Sequence, residues 1–165
     1  MIEKEKFARD VYTYLADKYS TSIFVNIAMT EQNHMVAVIQ LIEKYGLNIS
    51  LGDYGEFNNK HIQELYDQLI TMSNQSLEEA LKVGALIKET DIKNPEEWLK
   101  KGDNPDIIQV FEYLMRGSRN HLRAFVSTLE KMYGVKYEPK VLSQEEYERI
   151  INSSMETGNP GYCHN

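Results

Sequence analysis

Two side chains that can bind metal ions, Glu31 and His34, interrupt an otherwise apolar helical stripe in the first third of the chain. The Glu-x-x-His spacing places both side chains on one face of a helix, one turn apart, within reach of a single cation. A buried carboxylate costs several kcal/mol unless it is paired, protonated or bound to a metal. The pattern therefore indicates either a pair of metal ligands or a buried ion pair in a hydrogen-bonded polar layer.

Other carboxylates and an imidazole occur on or beside the remaining predicted stripes. Glu5 shares the apolar stripe of the first predicted helix, and His121 lies between apolar residues of the fourth. Glu89 and Asp91 end the stripe of the third, and the sequence does not choose between them as ligands. Each of these residues has a structural alternative. Glu5 would complement the helix dipole, and His121 would be a hydrogen-bonded core histidine. The two acids of the third helix would form a solvated helix end.

Carboxylates combined with one or two imidazoles suit iron, manganese or zinc and do not suit Cu(I). The expected cofactor is therefore one or two ions of Fe or Mn, with Zn as an alternative. The predicted metal ligands are Glu5, Glu31, His34, Glu89 and His121.

The elements that must position these residues are helices. Apolar residues at helical spacing predict four long helices at about residues 3–19, 22–45, 77–91 and 106–133. Shorter helices are predicted at 61–72 and 144–151, and Asn94-Pro95 resembles the cap and first turn of another. No convincing strand pattern or internal repeat is present. The expected fold is an all-α four-helix bundle with additional short helices.

Residues 1–151 are expected to form this bundle as one domain, with residues 152–165 as a polar, loosely attached tail. The tail contains Cys163 and His164, which are expected to have no function. Because Cys163 is the single cysteine, an intramolecular disulfide and a cysteine-rich zinc site are excluded.

The composition restricts the class of partner. The formal net charge of −7 argues against nonspecific binding of nucleic acid, which needs clustered lysines and arginines. No apolar run approaches the roughly 20 residues of a membrane span, so no membrane partner is expected. The N-terminus lacks the apolar region of a secretory signal, which predicts a cytoplasmic protein. A metal ion is the expected partner, and the sequence leaves open whether the chain forms a homo-oligomer.

A small set of arginines stands out in this acidic chain, and two roles are compatible with their positions. The first is pairing with Asp10, Glu112 or the acids of the third helix, and the second is support of the metal ligands from outside the site. The residues are Arg9, Arg116, Arg119 and Arg123.

Two short motifs resemble known metal-binding helices. Residues 5–12 (EKFARDVY) resemble the first-helix ligand motif of rubrerythrin-type ferritin-like proteins, and residues 31–34 (EQNH) resemble its second-helix Glu-x-x-His. The chain as a whole is more similar to DUF2202, a prokaryotic ferritin-like family of unknown function. The matching stretches are ARDVY (8–12), EQNHM (31–35), EALKVGALI (79–87), DI (91–92), RGSRNHLRAF (116–125) and LSQEEY (142–147). The resemblance implies a ferritin-like four-helix bundle, with additional short helices and with metal ligands on its first two helices.

The sequence departs from the di-iron pattern at two positions. Ser118 stands three residues before His121, where a glutamate is expected. Ala85 stands just after the glycine of the third helix, and Glu89 follows one turn later. A mononuclear or asymmetric site is therefore as compatible with the sequence as a symmetric pair of metals.

Three functions fit these observations. The first is a metal-dependent oxidoreductase that acts on peroxide or dioxygen. The second is a non-enzymatic helical bundle whose buried polar residues are a structural remnant of a metal site. The third is a protein that stores or carries metal. Whether the chain is an enzyme stays open at the level of sequence.

Overall fold

The described part of the chain, residues 1–100 and 102–158 of a computed structural model, consists of helices and connecting segments. The helices are α1 (Ile2–Tyr19), α2 (Ser22–Lys44), α3 (Lys60–Ser73), α4 (Leu77–Leu99), α5 (Pro105–Tyr133) and α6 (Gln144–Ile151). Because no strand occurs in this part, the predicted all-α class is confirmed. Over the same residues, no helix combines the length and the apolar character that crossing a membrane requires. Cys163 and His164 lie outside the described residues.

Local polar contacts explain where the helices begin and end. The side chains of Asn59 and Asn104 accept hydrogen bonds from first-turn N–H groups of α3 and α5. Ser143 and Glu146 form a reciprocal capping box at the start of α6. Gly134 ends α5 with φ of 66°, a left-handed conformation that glycine adopts without a steric penalty.

Helix α4 continues past its predicted end at Asp91. Asn94–Pro95 was expected to begin a separate helix, but Pro95 lies inside α4. A proline within a helix removes one backbone hydrogen bond, so other contacts must support this segment. Ile92 is buried, and the ammonium of Lys93 lies 3.4 Å from a carboxylate oxygen of Glu146 on α6. Tertiary packing therefore overrides the local helix-breaking signal.

The described chain divides into two compact units, with the division inside α4. Unit 1, Met1–Val83, contains α1, α2, α3 and the start of α4, and α1 packs against both α2 and α3. Unit 2, from Gly84 onward, contains the rest of α4 together with α5 and α6, which pack against each other.

Within unit 1, a buried ion pair fastens the connection between α2 and α3 to α1. The Lys6 ammonium lies 2.6 Å from the carboxylate of Asp10, one helical turn later, and both side chains are almost completely buried. Lys6 also donates hydrogen bonds to the backbone carbonyls of Asp53 and Glu56, at 2.6 and 3.0 Å. Arg9 donates to Asp10 as predicted. The role of Lys6 was not predicted, although its i,i+4 spacing from Asp10 was a visible signal.

Within unit 2, the segment after α6 is attached more firmly than expected for residues 152–165. The carboxylate of Glu156 lies 2.6 Å from Arg119 and 3.2 Å from Arg123. The side chain of Asn120 both donates to and accepts from the backbone of Glu156, at 2.9 Å in each case. These contacts correct two predictions: the described part of the tail is not loose, and these two arginines pair with Glu156 rather than with acids on α4 or α5.

Candidate metal centre

Three of the predicted metal ligands meet inside unit 1: Glu5 from α1, and Glu31 and His34 from α2. One ligand atom of each residue lies within 4.8 Å of the other two. The Nδ1 atom of His34 lies 3.4 Å from an oxygen of Glu5 and 3.2 Å from an oxygen of Glu31. Two carboxylates and one imidazole therefore converge on a single position.

Helix geometry explains this convergence. Glu31 and His34 are one turn apart, so they project from the same face of α2. Helix α1 packs along α2 and brings Glu5 to that face. The rings of Tyr12 and Phe24 stack at a centroid distance of 6.5 Å and join the same two helices. The site is thus built on rigid elements of unit 1 rather than on loops.

Burial and charge together determine the protonation of the site. The side chains of Glu31 and His34 are 0% and 1% exposed, whereas that of Glu5 is 10% exposed. Burial by itself lowers the pKa of His34, but the neighbouring carboxylates of Glu31 and Glu5 more than offset it and raise the pKa to about 9. At neutral pH the metal-free site therefore holds an imidazolium between two carboxylates.

The donor set fits a divalent metal ion. Two carboxylates and an imidazole are suitable ligands for iron, manganese and zinc. A cation at this position would compensate the same two negative charges that the imidazolium compensates in its absence, and His34 would bind it as a neutral ring. Glu5, the most exposed of the three side chains, marks the side of the site nearest to solvent.

Glu89 lies in unit 2, where its carboxylate accepts hydrogen bonds from other residues of that unit. Its buried carboxylate accepts hydrogen bonds from the hydroxyl of Tyr137 at 2.6 Å and from the backbone N–H groups of Lys140, Val141 and Leu142 at 2.8–3.0 Å. Burial, together with the hydrogen bond to this carboxylate, raises the pKa of Tyr137, which keeps its hydroxyl protonated as a donor. Through these contacts Glu89 anchors the α5–α6 connection, and its role as a metal ligand stays a prediction.

The other two predicted residues also belong to unit 2. Asp91, the alternative to Glu89, lies 2.7 Å from the ammonium of Lys88, which is fully buried. His121 is half-buried on α5, with its Nδ1 atom inside the protein. Its place in a metal site remains a prediction.

Comparison with known proteins identifies the family of this chain. Residues 1–154 match a family described as an uncharacterized protein domain, DUF2202. The chain belongs to the DUF2202 family. It is 49% identical over 160 residues to the uncharacterized protein MJ0754 of Methanocaldococcus jannaschii, an alignment that covers 96% of this chain and 86% of the relative. The family membership predicted from the sequence motifs is therefore confirmed.

A solved structure resembles this DUF2202 protein over most of its length. The crystal structure of hypothetical protein MJ0754 from Methanococcus jannaschii DSM 2661 superposes with a TM-score of 0.91 at 49% sequence identity. The match covers 94% of this chain and 90% of the other. This similarity supports the helical fold.

Proposed function

We propose that this DUF2202 protein binds a divalent iron or manganese ion through Glu5, Glu31 and His34. The observation that carries the proposal is the convergence of three buried ligand atoms within 4.8 Å of one another, from two packed helices. Two carboxylates placed together in a protein interior repel each other, so the site requires a positive charge between them. A divalent cation meets that requirement.

The protein's own groups have definite roles in this proposal. Glu5 and Glu31 bind the ion as carboxylates, and His34 gives up the proton that it holds in the metal-free state. Glu31 and His34 are buried away from water, whereas the partial exposure of Glu5 provides access from solvent. When bound, such an ion supplies redox chemistry and a coordination position for peroxide or dioxygen.

We further propose that the fold is a ferritin-like four-helix bundle. The Glu-x-x-His spacing on α2 and the Glu5 motif on α1 support this arrangement, because ferritin-like di-iron sites use such residues from facing helices. Ser118 replaces the glutamate expected before His121. That replacement, together with the engagement of Glu89 by other donors, favours one metal ion or an asymmetric pair.

The second candidate is a purely structural polar cluster. Its supporting observation is that His34, when protonated, already bridges Glu31 and Glu5 at 3.2 and 3.4 Å. Such a cluster would satisfy the buried charges without any metal ion. The two candidates differ in whether metal changes the stability of the fold.

The test compares the melting temperature of wild type and Glu31→Gln with Fe(II), Mn(II), Zn(II) or a chelator. At a free metal concentration one hundred times the dissociation constant, binding to the native state stabilises it by about 2.7 kcal/mol. Because glutamine keeps the shape of Glu31 but removes its charge, the variant should lose most of this response. Glu43→Gln, an exposed position on the same helix, is the matched control and should respond like wild type.

Equal responses to metal in wild type and Glu31→Gln would contradict the metal proposal and favour the structural cluster. Elemental analysis of protein purified without chelator identifies the ion. Catalysis is tested separately, by consumption of hydrogen peroxide by wild type and by its absence in Glu31→Gln.

A further inference from the structure

Unit 2 contains a cavity of about 420 Å³, bordered by α4, α5, α6 and the segment after α6. This volume is in the range of small-molecule binding pockets. The apolar part of its wall is formed by Ile92, Met115, Leu142 and Ile150. Arginine and glutamate side chains form the rest, so the cavity has both an apolar surface and charged groups that could orient a ligand.

Two arginines of the cavity wall, Arg119 and Arg123, donate hydrogen bonds to the same carboxylate, that of Glu156. Arg119 donates from Nε and Nη2 to Glu156, with shortest distances of 2.8 and 2.6 Å. Arg123 donates to the same carboxylate from both terminal nitrogens, at 3.2 Å. The hydrogen bond from Arg119 lowers the pKa of Glu156, which keeps it ionised at neutral pH. Two guanidinium forks on one planar group form a carboxylate-recognition geometry.

The segment that supplies Glu156 is held by polar contacts. Within residues 152–158, Glu156 is half-buried and the other side chains, including Met155, are exposed. No apolar side chain of this short described segment is therefore buried against the rest of unit 2. A free carboxylate can accept the same hydrogen bonds from the two guanidinium groups that Glu156 accepts. Exchange of Glu156 for such a group therefore keeps both arginines paired and breaks no apolar contact of this segment.

We propose that this cavity binds a small organic carboxylate, whose head group replaces Glu156 on Arg119 and Arg123 and whose apolar body fills the cavity. Glu156 acts as a built-in occupant that a free acid must displace. The proposal concerns groups of unit 2 alone and does not rest on the metal proposed for unit 1.

The charge of the wall supports an anionic ligand. With Glu156 in place, the lining contains three arginines and three glutamates, and its departure leaves one positive charge in excess. Arg149 contributes to that excess, since its side chain has no ion pair or hydrogen bond with another described residue. A carboxylate restores the balance.

The test measures hexanoate binding by titration calorimetry to full-length wild type and to Glu156→Ala. If Glu156 occupies the arginines about 90% of the time, its removal lowers the apparent dissociation constant about tenfold. Glu138→Ala, an exposed glutamate of the same unit, is the control for the loss of one negative charge and should bind like wild type.

Three probes separate the parts of the proposed ligand. Acetate has the head group without the apolar body, 1-hexanol has a body without the charge, and inorganic phosphate is an anion of different shape. Each should bind Glu156→Ala more weakly than hexanoate does. Equal binding of phosphate and hexanoate would overturn the proposal, because it would indicate a nonspecific anion site.

Two arginine substitutions complete the test. Adding Arg119→Gln to Glu156→Ala should abolish hexanoate binding, and Arg149→Gln, which leaves the Glu156 contacts in place, should weaken binding to wild type. The proposal is wrong if hexanoate binds wild type and Glu156→Ala equally, or if binding persists without Arg119.

Discussion

Replacing Glu89 by glutamine tests whether this residue anchors the α5–α6 connection or binds metal. The carboxylate accepts hydrogen bonds from the Tyr137 hydroxyl and from three consecutive backbone N–H groups, of residues 140–142. Glutamine has nearly the same shape. It offers one acceptor oxygen, however, and its amide group would point two hydrogen atoms at donors that need an acceptor.

The expected loss in the free energy of unfolding follows from these hydrogen bonds. A hydrogen bond to a charged group contributes about 1.5–3 kcal/mol, and a buried donor that loses its acceptor adds a penalty of about 1–3 kcal/mol. Because at least two donors lose a charged acceptor in Glu89→Gln, we expect the free energy of unfolding to fall by about 3–5 kcal/mol. Tyr137→Phe removes a single donor to this carboxylate and should cost about 1.5–3 kcal/mol.

The assay is urea unfolding of wild type, Glu89→Gln and Tyr137→Phe, with chelator and with added metal. Glu138→Gln is the matched control, since Glu138 follows Tyr137 in sequence and is exposed. The anchoring role requires the same loss of stability under both conditions and an unchanged stabilisation by metal. A loss of stability below about 1 kcal/mol, or one seen only with metal present, would contradict the anchoring role and support Glu89 as a metal ligand.

Three further predictions concern other buried groups. Since the pKa of His34 is raised from 6.5 to about 9, metal-free wild type should be stabilised relative to His34→Gln by an amount on the order of 3 kcal/mol below about pH 6.5. This difference in stability should disappear as the pH rises through 9. Urea unfolding in chelator measures it, and a difference that does not change with pH would contradict the prediction. Gly84→Ala should destabilise the protein by about 1–3 kcal/mol, because its Cβ would lie 2.5 Å from the ring of fully buried Phe125; thermal unfolding should show partial recovery with Phe125→Leu. Lys6→Met should lower the free energy of unfolding by about 3 kcal/mol, because the carboxylate of Asp10 loses part of its compensating charge. The double variant with Asp10→Asn should lose less stability than the sum of the two single variants. Strict additivity of the two losses would argue against the ion pair.

Local patterns in the sequence were sufficient to predict most of the helices. Apolar residues at helical spacing located them, and the last helix, predicted at 144–151, has the bounds of α6. The pairing of Glu31 with His34 was equally local, because a three-residue separation on a helix determines that two side chains share a face. The motif around Glu5 added the third member, which α1 brings to α2.

Tertiary structure decided the features that depend on distant partners. Glu89 and Asp91 could not be distinguished by sequence, since the donors that surround Glu89 come from positions 48–53 residues away. The same holds for Glu156, whose arginine partners lie 33 and 37 residues earlier. A sequence shows that a carboxylate is present and on which face of a helix it lies. Which donors surround it, and therefore whether it anchors a connection, closes a cavity or is available for a metal ion, is determined by packing between elements that local patterns do not specify.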